Sequence, residues 1–206
     1  MARDGRSRRW NPLDSQELTR LLSGFGVPWW VGGGVALDLF MGRSSRAHYD
    51  VDVWMLRRDG PRLRAYLSGW DLRVGLPGTS DHSGFPEFSP GLESDPTVYG
   101  VWATPESEDW DRLEFLLQDT AGECWQSRYG ASAALPIRDI GVEVASGIPV
   151  VRPELVLLTK ALRLREVDEN DFRTILPTLA QSRRRYLAKL VRQVAPEHRW
   201  LSRLGS

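Results

Sequence analysis

Three features of the sequence predict an α/β (α+β) fold: a short strand, glycine turn and helix near the start, period-2 alternation over residues 49–56, and helical periodicity after Pro153. The first two require a sheet with helices packed on it, and the third adds a helical C-terminal part. The expected division is an α/β domain over 1–151 and a helical domain over 152–206.

The elements follow in order. Asp14 and Ser15 are both able to cap a helix that places Leu18, Leu21, Leu22 and Phe25 on one face, with Gly24 and Gly26 ending it. Val27 to Val31 reads as a strand stopped by Gly32, Gly33 and Gly34, after which Val35 to Met41 forms a helix closed by Gly42. Between Tyr49 and Leu56, Val51, Val53 and Met55 alternate with Asp50, Asp52 and Trp54, the pattern of a strand. Pro61 opens a helix with Leu63 and Leu67 inward, and Trp70 to Val74 follows as a strand.

Gly75 to Pro96 is rich in Gly, Pro and Ser, has no periodicity, and is expected to be a mobile loop or insertion. Val98 to Ala103 and Leu113 to Gln118 resume strand character. Three helices are then expected, from Pro153 to Arg165, from Asp168 to Ala180 and from Ser182 to Val194.

Composition narrows the class without naming it. The chain of 206 residues is 41% hydrophobic and 26% charged, as is ordinary for a globular protein. Its zero formal net charge argues against a partner held mainly by long-range attraction, such as bulk nucleic acid or an anionic membrane. The charge is nonetheless sorted. No Lys or Arg occurs from Gly75 to Asp111, whereas Arg183 to Arg203 carries seven cations and one acid, Glu197. The single cysteine, Cys124, cannot form an internal disulfide, and three scattered histidines do not complete a zinc site with it. A cytoplasmic protein without a membrane span is expected.

Chemistry concentrates in one stretch. On a strand, Asp50 and Asp52 fall on the same face with Val51 and Val53 behind them. Two carboxylates held so close repel each other unless a cation lies between them, and hard oxygen ligands on a rigid strand suit Mg²⁺. Upstream, Gly33 and Gly34 open a helix whose bare N-terminal amides let a phosphate approach closely. A double glycine or an Asp-x-Asp alone is weak evidence, a turn or a solvated face explaining each. Their conjunction on an otherwise apolar strand and helix favours phosphoryl or nucleotidyl transfer.

The run from Trp29 through Gly32-Gly33-Gly34 to Gly42-Arg43, followed by Arg46, His48, Asp50 and Asp52, resembles the signature of the aminoglycoside 2''-adenylyltransferase-like branch of the nucleotidyltransferase superfamily. Softer similarities are Gly147-Ile148-Pro149 leading to Pro153-Glu154-Leu155, and Asp168 to Phe172. The resemblance implies a polymerase β-type mixed sheet with helices, two Mg²⁺ ions, and a third carboxylate on a neighbouring strand. Glu114 is the matching position, with Asp111 as the rival; relatives often carry Asp there. Catalysis and metal binding then fall to Asp50, Asp52 and Glu114, and nucleotide binding to Gly33, Gly34, Arg46, His48 and Lys160. Arg46 and His48 equally suit pairing with the two aspartates. Lys160 either faces the cleft or extends to solvent, and Asp168 and Asp171 suit a helix cap and a first-turn acid.

The implied reaction moves a nucleoside monophosphate, AMP from ATP, onto a hydroxyl of a small acceptor such as an aminoglycoside-like antibiotic. The acid-only stretch would attract a cationic acceptor if it folded over the cleft, or else is a solvated insertion. Two alternatives stand beside this one. A toxin-type enzyme would act on tRNA or protein, using the basic tail, and a catalytically silent relative would only bind nucleotide. A nucleotide-sugar glycosyltransferase accounts for the aspartates but not for the glycine turn.

Overall fold

The computed structural model describes residues 14–48, 50–75, 85–106, 113–130 and 134–205. The chain opens with helix α1 (Ser15–Leu22), whose cap Asp14 accepts 2.8 Å bonds from the Gln16 and Glu17 amides while Glu17 accepts from the Asp14 amide. Leu18 and Leu22 are buried. Strand β1 (Trp29–Val31) and helix α2 (Gly33–Met41) follow. Gly42, in the left-handed conformation at φ 67°, ends α2, as expected of a residue without a Cβ at that position.

Strand β2 (Asp52–Leu56) leads into α3 (Gly60–Tyr66), β3 (Asp71–Gly75), β4 (Gly100–Thr104) and β5 (Leu113–Ala121). Four short strands, β6 (Cys124–Gln126), β7 (Ala134–Pro136), β8 (Gly141–Glu143) and β9 (Pro149–Val151), precede the helices α4 (Pro153–Arg163), α5 (Glu166–Ile175), α6 (Gln181–Val194) and α7 (Leu201–Leu204). Among the described residues, no helix is long and apolar enough to cross a membrane.

The strands form one mixed sheet in the order β3-β4-β5-β2-β1-β9-β8, with β6 and β7 continuing from β5. β2 lies at its centre, parallel to β5 and antiparallel to β1. Alternation then sorts the side chains: Val53, Met55, Phe115 and Leu117, all at 0% exposure, occupy one face. Asp52, Trp54, Glu114, Leu116 and Gln118 share the other, which looks onto the cleft under α4. α4 in turn packs against α2, α5 and α6. Within the helical part, the Phe172 ring stacks on Trp200 at 4.0 Å and joins α5 to the C-terminal segment.

The segment expected to be a mobile insertion divides. Residues 76–84 lie outside the described residues, but 85–96 is held in place. The Val74 amide donates to the Pro86 carbonyl and the Phe88 amide to the Leu72 carbonyl, so this stretch runs along the edge strand β3. Phe88 is 1% exposed, and Glu93 pairs with Arg64 of α3 at 2.6 Å. A single buried aromatic anchors the stretch, and one anchor leaves no periodicity to read.

Leu117, in the middle of β5, is fully buried between layers. Leu117→Ala is expected to cost about 2–5 kcal/mol, the usual range for a large-to-small change in a core that cannot collapse. Urea denaturation measures it, and a loss below about 1 kcal/mol would mean that the sheet face repacks freely.

Candidate active site

Asp50, Asp52 and Glu114 converge. Asp52 and Glu114 stand opposite each other in the parallel β2–β5 ladder, and Asp50 lies just before β2 begins. A ligand oxygen from each lies within 4.8 Å of the other two. β2 starts at Asp52 rather than at Tyr49, so the paired aspartates come from the strand's first residue and the segment leading into it. Asp111, the rival third acid, lies outside the described residues.

The electrostatics of this group are unbalanced. Burial, followed by the charges of Asp52 and Asp50, pushes the Glu114 carboxyl up to about 9. Burial and then Asp50 raise Asp52 as well, although Lys160 and Arg163 pull the other way. Asp52 and Glu114 are hydrogen-bonded to each other, an arrangement in which the pair keeps a proton. Three hard carboxylate donors with excess negative charge fit a divalent cation such as Mg²⁺, which would take the place of that proton.

Gly33 and Gly34 adjoin the acids. Gly33 begins α2 with φ 59°, and a Cβ built there would lie 2.0 Å from Asp52 Oδ2. Only glycine combines that backbone with that contact. A Cβ on Gly34 would meet Arg46 Nη2 at 2.4 Å and His48 Cε1 at 2.8 Å. The N-cap, Gly32, makes no side-chain cap bond, so no capping side chain engages the amides that open α2.

Arg46 and His48 lie beside this turn but pair elsewhere than on Asp50 or Asp52. The Arg46 guanidinium donates to both oxygens of Asp171 of α5, at 2.8 and 3.1 Å. His48 Nε2 lies 2.7 Å from Asp38 Oδ2. Asp38, on α2, also accepts bonds from the Ser45 amide and hydroxyl, so one carboxylate clamps the whole α2–β2 connection. The signal for Asp38 was present in the sequence: it is the one charged residue in an otherwise apolar helix.

Lys160 is neither a solvent lysine nor an unengaged cation. It is 7% exposed, lines the cleft, and lies 3.2 Å from Asp168 and 2.8 Å from Asp171. Asp168 also binds Arg165 through the guanidinium and the backbone amide. Both aspartates titrate below their ordinary value despite the opposing effect of burial, because these cations donate to them. A capping role for Asp168 and a network role are therefore the same role.

The cleft itself, about 710 Å³, runs from Gly33 and Asp52 under α4 to Trp125 and Tyr129. Residues 16–75 match the family model described as aminoglycoside-2''-adenylyltransferase. That segment is similar to the family, and the chain as a whole shares the fold of known nucleotidyltransferases. The fold rests on solved structures. The antibiotic-resistance factor ANT(2'')-Ia in solution is 17% identical, with 82% of this chain and 84% of that one covered at a TM-score of 0.55. ANT(2'')-Ia in complex with adenylyl-2''-tobramycin is 16% identical, with 82% and 90% covered and a TM-score of 0.56. The lincosamide antibiotic adenylyltransferase LnuA, bound to lincomycin, is 16% identical, with 77% and 92% covered and a TM-score of 0.52. No curated protein sequence matches the chain.

Within this nucleotidyltransferase fold, several members of the charged stretches are paired with residues elsewhere. Glu93 is bound by Arg64, and Asp95 accepts from the Thr97 amide and hydroxyl. Of the basic tail, Arg183 binds Glu154, and Arg199 and Arg203 bind Glu169. Residues that sequence reasoning passed over are Tyr99, Arg128, Tyr129 and Arg163, which line the cleft beyond the carboxylates. Arg163 was within reach, since three residues after Lys160 on a helix is the same face.

Two expected outcomes test this geometry. Gly33→Ala forces a left-handed alanine against Asp52, and should abolish Mg²⁺ binding by titration calorimetry while leaving a folded protein; wild-type affinity would show that the turn relaxes. The second concerns pH. The unfolded chain releases the Glu114 proton near the ordinary glutamate value, whereas the folded, metal-free protein holds it to about 9. The folded state thus carries the extra proton in that window, and stability falls as pH rises through it. Glu114→Gln should remove this slope, raising Tm in EDTA more at alkaline than at acidic pH. Equal shifts at both ends contradict the assignment.

Proposed function

We propose that the protein is a cytoplasmic, Mg²⁺-dependent nucleotidyltransferase that moves a nucleoside monophosphate, AMP from ATP, onto a hydroxyl of a small acceptor and releases pyrophosphate. The convergence of Asp50, Asp52 and Glu114 at the glycine turn that opens α2 carries this reading. Support comes also from the relatives in fold, one of which holds an adenylylated aminoglycoside and another a lincosamide.

Asp50 and Asp52 would hold two Mg²⁺ ions, with Glu114 completing one of the sites. When bound, the metal supplies positive charge that stabilises the phosphoryl oxygens in the transition state. The residues of the chain do the rest. Amides at Gly33 and Gly34 bind the β- and γ-phosphates, which the bare backbone lets come close. Arg46 and His48, packed on Gly34, border the same phosphates, and Lys160 adds positive charge from below.

The acceptor oxygen attacks the α-phosphorus in line. As its bond to phosphorus forms, its proton passes to a carboxylate oxygen of Glu114, which is ionised once a cation has replaced the proton it shares with Asp52. The bond from the α-phosphorus to the bridging oxygen breaks, and pyrophosphate leaves with the electron pair.

Mass spectrometry of reactions containing each nucleoside triphosphate, Mg²⁺ and pooled hydroxyl acceptors tests the reading. An acceptor gains the mass of one nucleotide, and Asp52→Asn, nearly isosteric, lowers the rate by about a thousandfold or more. Retention of activity within about tenfold by Asp52→Asn removes Asp52 from the chemistry. Mg²⁺-dependent ATP binding without transfer to any acceptor would indicate a silent relative.

A further inference from the structure

In-line displacement puts the attacking and leaving oxygens on opposite sides of the phosphorus. The sheet order assigns those sides. β1 and the Gly33–Gly34 turn flank β2 on one side, and β5 then β4 flank it on the other. With the leaving phosphates at the glycine turn, the acceptor comes from the β5 and β4 flank, where Glu114 stands.

That flank is lined by Tyr99, Gln118, Trp125, Arg128, Tyr129 and Arg163. The two phenol oxygens are 3.3 Å apart, and Arg163 Nη2 donates to Tyr99 Oη at 3.2 Å. The Arg128 guanidinium lies 4.2 Å from the Tyr99 ring centre. Trp125 Nε1 donates to Gln118 Oε1 at 3.0 Å, and its ring stacks on Trp54, which also lines the cleft. Flat aromatic surface and two guanidiniums thus face the same space.

The charge balance is one-sided. Among the described residues lining the cleft, the only carboxylates are Asp52 and Glu114, and both belong to the acidic cluster. Of the other cleft cations, Lys160 and Arg165 are held by Asp168, whereas Arg128 lies 3.6 Å from Asp119, beyond hydrogen-bond length, and Asp119 is already bound by Arg57. Arg163 makes no ion pair with any described residue, its partner being the Tyr99 phenol. A polycationic amino sugar would meet two guanidiniums here and no carboxylate to receive its ammonium groups.

We propose that the acceptor is an anionic hydroxyl compound with a flat aromatic or heterocyclic face, its carboxylate or phosphate on Arg163 and Arg128 and its ring against Tyr99 and Tyr129. The inference rests on nucleotidyl transfer as the reaction. It differs from the expectation of an aminoglycoside-like acceptor, which the acid-only stretch from Gly75 to Asp111 suggested; of the described acids in that stretch, Glu93 is bound by Arg64 and Asp95 by Thr97.

The full chain with ATP and Mg²⁺ is offered four acceptor pools: aminoglycosides, lincosamides, aromatic hydroxycarboxylates and nucleoside monophosphates. Transfer is expected to the third or fourth pool, and which of the two responds identifies carboxylate or phosphate as the anion. Arg163→Gln, at an exposed position, should raise the acceptor KM about tenfold or more with the ATP KM unchanged, and Arg163→Lys should recover part of the loss. Transfer confined to aminoglycosides or lincosamides, transfer to no pool, or an Arg163→Gln effect on the ATP KM instead overturns the proposal. Tryptophan fluorescence separates the two levels of failure. Absence of Mg²⁺-dependent ATP binding defeats nucleotidyl transfer itself, while binding without an anionic product defeats only the acceptor class.

Discussion

Asp52 and Glu114 face each other across a parallel β-ladder, and the rest of the site is an answer to the repulsion that this register creates. Cross-strand neighbours come within contact distance on one face of a sheet, so two like charges placed directly opposite are destabilising in themselves. Partial burial makes the conflict worse, because water screens the two charges less well there than at the surface. A chain selected only for stability would put apolar residues at both positions. Keeping the acids is consistent with a cation as the expected occupant, and Gly33 shows how closely the surroundings are built to the same end. The turn gives up its side chain so that the Asp52 carboxylate can lie against the N-terminus of α2.

A second electrostatic unit supports the first from behind. Arg46, Asp171, Lys160, Asp168 and Arg165 form a chain of ion pairs that joins the loop before β2 to α4 and α5. Asp168 and Asp171 are 0% and 4% exposed, so each must be fully paired to be tolerated at all. Removing one member would strand the others, which is why such networks fix geometry more reliably than they add stability. Their placement is the point here. Arg46 is four residues from Asp50, so the helical part sets the course of the loop that delivers one of the three acids. Lys160 contributes to Asp52 at longer range, lowering the proton affinity that burial raises.

Much of the fold was legible because local signals agreed with one another. Asp14 and Glu17 form a capping box, Gly42 adopts the left-handed conformation, and the alternation of Val53 and Met55 with Asp52 and Trp54 matches their faces. The convergence of Glu114 with the aspartates was legible through the family signature, not through spacing, since 62 positions of chain separate it from Asp52 and only sheet order brings them together. What escaped notice was long-range pairing. Nothing local in Arg46 says that its partner is Asp171, 125 residues away, and nothing in the turn-rich stretch before β4 says that Phe88 is buried.

Linear charge patterning was the least transferable signal, and the reason is physical. A run of acids along the chain attracts a ligand only if the fold leaves those acids unpartnered on one surface. Here Glu93 lies against Arg64 of α3, Arg183 of α6 against Glu154, and Arg199 and Arg203 against Glu169, so several charges that look unpartnered in sequence are paired in space. The effective charge of the cleft is therefore set by its few uncompensated members. Those are the acidic cluster on the glycine side and Arg163 on the tyrosine side. Such an arrangement separates two recognition tasks within one cavity, cation-assisted capture of phosphates on one flank and choice of acceptor on the other. The two flanks are still coupled, since Arg163 lowers the proton affinity of both Asp52 and Glu114.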